Sequence, residues 1–169
     1  TPDKANFNVL NVSIPSGGGI NVKYKYSITM RNEFHEIEDI HQSSVEPHPD
    51  LQAKIRALKD YHLDVTRIKD FYKACNSDRF EANESQKKVL DAILDEYKRA
   101  VRITKLSISG KEDNVGVIIT GVVEAITGHG MALNTCRVKL EEDIYGWEED
   151  LKELVEDIES ECYQYIFEG

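Results

Sequence analysis

The segment Ile20 to Met30 fixes more of the fold than any other part of the chain. Val22, Tyr24, Tyr26, Ile28 and Met30 alternate with Asn21, Lys23, Lys25, Ser27 and Thr29. A repeat of two residues fits only an extended strand with one face in a core and the other in water. Such a strand needs neighbours. FNVLNVSI upstream can pair with it through Pro15-Ser16-Gly17-Gly18-Gly19, whose glycines allow the positive φ angles of a tight reversal. Glu33 to Gln42 downstream carries Phe34, Ile37 and Ile40 at a spacing that also suits a helix, but hairpin logic makes it a third strand.

The two prolines of Ser43 to Asp50 then hold the backbone extended, and Pro49 or Asp50 can open a helix. Leu51, Ile55, Leu58, His62, Val65, Ile68 and Tyr72 run down one face of that helix, to about Cys75. A polar stretch, Asn76 to Asn83, separates it from a second expected helix over 84–100, which buries Val89, Leu90, Ile93, Leu94 and Tyr97. Strands resume at Val101 to Ser109. VGVIITGVVEAIT follows, apolar on both faces as a central strand is. MALNTCRVKL reads as one further strand, with Cys136 as a buried, inert thiol.

Charge picks out the end of the chain. Glu141 to Gly169 holds 12 of the 31 acidic groups and one base, a net −11, so the other 140 residues sum to +1 (20 basic, 19 acidic). Trp147, Leu151, Leu154, Val155, Ile158, Cys162, Tyr165 and Ile166 share a helical face there, with Glu148, Glu149, Glu153, Glu156 and Glu159 mostly opposite. The segment is an acidic amphipathic helix. The expected architecture is a single α+β domain over 1–169: a mainly antiparallel sheet of about six strands, ordered βββααβββα, with three helices packed on it. Its parts are strands at 7–42, a helical pair at 50–100, strands at 101–140 and the acidic helix at 146–167. The order hints at two βββα halves without a residue-level repeat.

Function is less legible. No apolar run approaches the roughly 20 residues that cross a bilayer, and TPDKANFNVL lacks the layout of a signal peptide. Cys75, Cys136 and Cys162 form neither a disulfide framework nor a zinc spacing, which fits free thiols in a reducing cytoplasm. A net charge of −10 argues against broad contact with phosphate backbones, so direct nucleic-acid binding is not expected, although a small basic pocket stays open. Lys23 and Lys25 fall on one face and Tyr24 and Tyr26 on the other, which splits any stacking surface. His35, His41 and His48 lie near Glu36, Glu38 and Asp39, but this pattern is common in an acidic chain, and no metal or other cofactor is expected. No GxSxG, HExxH, GxxxxGK[ST] or CxxC occurs, so no catalytic residue is assigned.

Several short blocks, taken in order, resemble a family of small tailed-bacteriophage proteins. They are His48-Pro49-Asp50-Leu51 with Ala57-Leu58, the strand pair Ile103 to Ser109 and Gly116 to Val123, Leu133-Asn134-Thr135, and the closing helix ending Glu161-Cys162-Tyr163-Gln164-Tyr165-Ile166. The sequence departs from that family's pattern at Cys136, where proline is usual. The resemblance implies a phage product acting in the bacterial cytoplasm and brings no activity with it. The expectation that follows is a non-enzymatic accessory protein that counters host defence by sequestering a nucleotide-type signal or a host protein, as a homo-oligomer. His129, Asn134, Thr135 and Arg137, with Lys105 and Lys111 as anion partners, are the expected ligand residues, chosen by turn position and residue type. The alternative is an interaction or DNA-mimic module in phage replication or recombination, acting through Glu149, Glu153 and Glu156.

Overall fold

The computed structural model describes residues 2–15, 17–66, 84–85, 88, 95, 99–124 and 128–168. Three strands come first: β1 (Phe7–Ser13), β2 (Ile20–Met30) and β3 (Glu33–Ser43). Helix α1 (Pro49–Val65) follows, then β4 (Arg102–Ser109), β5 (Gly116–Glu124), β6 (Gly130–Asn134), β7 (Val138–Lys139) and α2 (Glu148–Phe167). The strands form an antiparallel sheet in the order β3-β2-β1-β4-β5-β6, with β7 also paired to β5. The domain is α+β, with two helices among the described residues. The helix expected over 84–100 and the continuation of the first helix to Cys75 lie largely outside them.

The alternation of β2 does what a period of two requires. Ile20, Val22 and Tyr24 are buried under the helices. Lys23 and Lys25 sit half-buried on the other face. Glu33 to Ser43 is a strand, paired with β2 along its whole length from Ile20↔Ser43 to Met30↔Glu33. Gly18 and Gly19 take the expected positive φ, 88° and 83°, in the first hairpin. His48 caps α1, its Nδ1 accepting from Asp50 N–H at 3.2 Å, with Pro49 in the first helical turn.

The single strand expected across MALNTCRVKL is broken in two. Thr135 is the cause: its N–H donates to the Ile119 carbonyl at 2.9 Å, and its Oγ1 accepts from Ile119 N–H at 3.0 Å. A side chain thus replaces a backbone carbonyl, and the ladder stops and restarts at Val138. Cys136 falls in this break and is exposed, a correction to the buried thiol expected there. Cys162 is buried, and burial pushes its thiol up to about 12.

The hint of two βββα halves becomes explicit. β1-β2-β3-α1 and β4-β5-β6-α2 lie side by side, joined by antiparallel pairing of β1 with β4 at Asn11↔Ser107, Val12↔Leu106 and Ser13↔Lys105. Both central strands carry a bulge at the matching place, between Val9 and Asn11 in β1 and between Ile103 and Lys105 in β4. The helices match as well. Leu51, Ile55, Leu58, His62 and Leu63 are buried in α1, and Leu151, Val155, Ile158, Cys162 and Tyr163 in α2, at identical spacing. The repeat lives in the burial pattern, not in residue identity.

Both helices lie on one face of the sheet, over Val9, Val12, Val22, Leu106, Val117 and Ile119. Where β1 parts from β4, Val9 N–H donates to Glu159 Oε2 of α2 at 3.1 Å. Burial pushes the Glu159 carboxyl up, against the pull of that hydrogen bond. A carboxyl raised in the folded state adds stability in acid and loses it as pH rises through the folded value. At neutral pH, Glu159→Gln should therefore keep the acceptor for Val9 and leave stability equal or higher. Glu159→Ala, which strands that donor, should lose roughly 1–3 kcal/mol in urea unfolding. Equal losses in both variants would contradict this account.

Candidate functional site

Helix α1 turns Gln52, Arg56 and Lys59 along one stripe beside its buried face, at the three- and four-residue spacing that stacks side chains. The sheet places the start of β4 next to that stripe, bringing in Arg99 and Arg102. Between them lies a cleft of about 470 Å³, within the range of small-ligand sites. Its apolar floor is Ile14, Ile55, Val101 and Ile103. Its rim carries four cations, Arg56, Lys59, Arg99 and Arg102, against one acid, Glu46. In a chain of net charge −10 this is a local reversal of sign.

Two of those cations are already aimed by neighbours. Arg56 Nη2 donates to Gln52 Oε1 at 3.0 Å, while Gln52 Nε2 donates to the Pro47 carbonyl at 2.7 Å. Arg99 Nε donates to the Asp95 carbonyl at 3.3 Å. Among the described residues, none of the four cations forms an ion pair with a carboxylate. Guanidinium groups over an apolar floor suit a ligand with phosphates at one end and a flat ring at the other.

The ligand residues expected from sequence do not converge. His129 is exposed in the turn before β6, whereas Lys111 and Arg137 lie at the opposite end of β5. The nine residues of β5 put those ends roughly 27 Å apart. Arg137 is engaged in structure: Nε donates to Ser109 Oγ at 3.0 Å, and Nη2 to the carbonyls of Ser109 at 3.0 Å and Asn114 at 2.5 Å. It lies across Gly116 and latches the β4–β5 turn. Thr135 is held in the ladder. Lys105 and Asn134 do share ground, since Thr120 is register partner to both on the face away from the helices.

Glu149, Glu153 and Glu156 are exposed on α2 and line a groove of about 790 Å³ with Glu141, Glu142 and Asp143. Its one base, Lys152, is tied to Glu141 at 2.5 Å. Glu148 sits at the end of this groove but turns inward.

Sequence reasoning missed the cationic cleft. Gln52, Arg56 and Lys59 carry a readable signal, a polar stripe beside the apolar one. Arg99 and Arg102 join them only through the tertiary path of the chain.

The described residues thus form a two-layer α+β domain, two helices on one face of an antiparallel sheet, with a cationic cleft at the junction of its two halves. No protein-family model matches the chain, nor does any curated protein or solved structure.

Proposed function

We propose that this is a non-enzymatic binding protein that holds a phosphate-bearing, nucleotide-type ligand in the α1–β4 cleft. The observation that carries the reading is the grouping of Arg56, Lys59, Arg99 and Arg102 over an apolar floor, with Glu46 the one acid in the lining. The sequence resemblance to small phage proteins supports a setting: an accessory protein in the bacterial cytoplasm that withdraws a host defence signal by binding it. Self-association fits the same reading. The β6 edge, Gly130 to Asn134, is uncharged and exposed, whereas the β3 edge carries Glu33, Glu36, Glu38 and Asp39.

The test is thermal unfolding against cyclic di- and trinucleotides, ADP-ribose derivatives and mononucleotides. A ligand at about a thousand times its dissociation constant adds roughly 4 kcal/mol, or ~8–16 °C in midpoint for a domain of this size. Arg56→Glu with Arg102→Glu should erase the shift while leaving the unliganded midpoint within a few degrees. A flat panel, or a shift that survives the double variant, rejects the cleft as the site.

A second reading has its own observation, the acidic groove along α2. A basic protein partner would lie against Glu149, Glu153 and Glu156, as a module of phage replication or recombination, and its binding would weaken with salt.

A further inference from the structure

The sheet face turned away from the helices is unlike the rest of the surface. One row of directly opposed residues crosses six of the seven strands, from β3 to β6: Gln42, Asn21, Ser13, Lys105, Thr120 and Asn134. The row beside it runs Ile40, Lys23, Asn11, Ser107 and Ile118, polar in its middle three and apolar at its two ends. Amides, hydroxyls and lysines without an intervening acid are the groups that contact phosphate and sugar. Most acids of α2 lie behind the sheet, on the helix side; Glu159 alone reaches the gap where β1 parts from β4 and lines a cavity with Lys25 and Glu36. The nearest acids on the open face, Glu36 and Glu38, stand on the outer strand, and Glu36 is occupied by Lys25 at 3.4 Å.

This face and the cleft meet at Arg102. Arg102 stands at the cleft rim and also opens β4, three residues before Lys105. Along an extended strand that is about 10 Å, and Lys23 lies about 12 Å further, two strands across and two residues along. Neither Lys23 nor Lys105 has an ion-pair partner among the described residues. Arg56, Lys59, Arg99, Arg102, Lys105 and Lys23 thus make one cationic path from the cleft onto the open sheet.

We infer that the occupant is longer than one nucleotide: a single-stranded oligonucleotide, with one terminal nucleotide in the cleft and its phosphate backbone following Arg102, Lys105 and Lys23 across the sheet. This rests on the cleft being a nucleotide site and says what continues from it. Because Tyr24 and Tyr26 face the helices, the path offers no run of aromatic rings, so the backbone is held without base stacking. Binding is therefore insensitive to base sequence and sensitive to salt.

Affinity for a mononucleotide and for an oligonucleotide of about eight residues, measured at several salt concentrations, tests this directly. The oligonucleotide should bind roughly tenfold tighter or better, with a steeper salt dependence of about 0.7 in log–log slope for each phosphate neutralised. Lys23→Gln with Lys105→Gln, both on the open face and clear of the cleft, should leave mononucleotide affinity unchanged. It should remove most of the length-dependent gain and lower the oligonucleotide slope by about 1.4, that is, two phosphates at about 0.7 each. If the mononucleotide binds but added length gains nothing, or the double variant leaves the gain intact, the path is overturned while the cleft stands. If a duplex of the same length binds tighter than the single strand, the single-strand assignment is overturned. If neither ligand binds, cleft and path fall together.

Discussion

Replacing Glu148 with alanine should lower stability by about 3 kcal/mol. Glu148 opens α2 and is buried, 3% exposed, although it is a carboxylate. Its oxygens accept from Ile144 N–H, from Tyr145 N–H at 3.0 Å and from Trp147 N–H at 3.2 Å. It also stands at the positive end of the helix dipole. Burial pushes the carboxyl up, but the backbone N–H donors outweigh it and hold the group below the usual carboxylate range. Alanine removes the acceptor shared by three part-buried backbone donors, the more costly way to lose a hydrogen bond.

The pH dependence follows from the sign of that shift. A carboxyl lowered in the folded state contributes stability that is complete above its unfolded value, near 4.5, and is lost as pH falls through the folded value. Urea unfolding at neutral pH and in acid should show wild type and Glu148→Ala far apart at the first and closer at the second. Glu148→Gln should fall between, keeping one acceptor oxygen without charge. A gap that stays constant with pH would show that the charge of Glu148 contributes nothing.

Gly121→Val should be comparably damaging, at about 3 kcal/mol, the upper end of overpacking. Gly121 lies in β5 directly beneath α1. A Cβ there would sit 2.8 Å from His62 Nε2 and 2.9 Å from Val101 Cγ1. His62 cannot yield easily. It is fully buried, and its Nε2 lies 2.8 Å from the Leu133 carbonyl, so Nε2–H is the donor. Its Nδ1 has no partner among the described residues, so a displaced ring finds no ready substitute. Gly121→Ala should lose less than Gly121→Val, and both should shift the urea midpoint without changing the slope. A valine variant as stable as wild type would mean that α1 packs more loosely on β5 than the contact distances require.

The strand content of this fold was legible because one face of each strand is buried and the other open, which writes a period of two into β2 most clearly. The same asymmetry made α1 and α2 legible at helical spacing. The break at Thr135 was not, because a hydroxyl standing in for a carbonyl leaves no mark on hydropathy. Glu148 read as one acid among many on a solvated face; only the approach of Ile144, Tyr145 and Trp147 shows that it turns inward. Arg137 was chosen as a cation near a turn, and the cation is there, but Ser109 and Asn114 already occupy it. The cleft was hidden for a different reason. Arg56 and Arg102 are brought together by a sheet that joins the first half of the chain to the second, and no local pattern records such a meeting.

That seam has a thermodynamic meaning. β1 and β4 hold each other through three register pairs, with one further bond from Ile14 N–H to the Thr104 carbonyl at 2.8 Å, and the cleft straddles the join. The first half supplies Arg56 and Lys59, the second Arg102, and Arg99 stands on the connection just before β4. Neither half owns the complete site. A ligand that neutralises all four cations is therefore a clasp, binding the joined state and not the parted one. By mass action it must tighten the union of the halves by as much as their union tightens it. Any force that prises β1 from β4 would, in the same motion, let the ligand go.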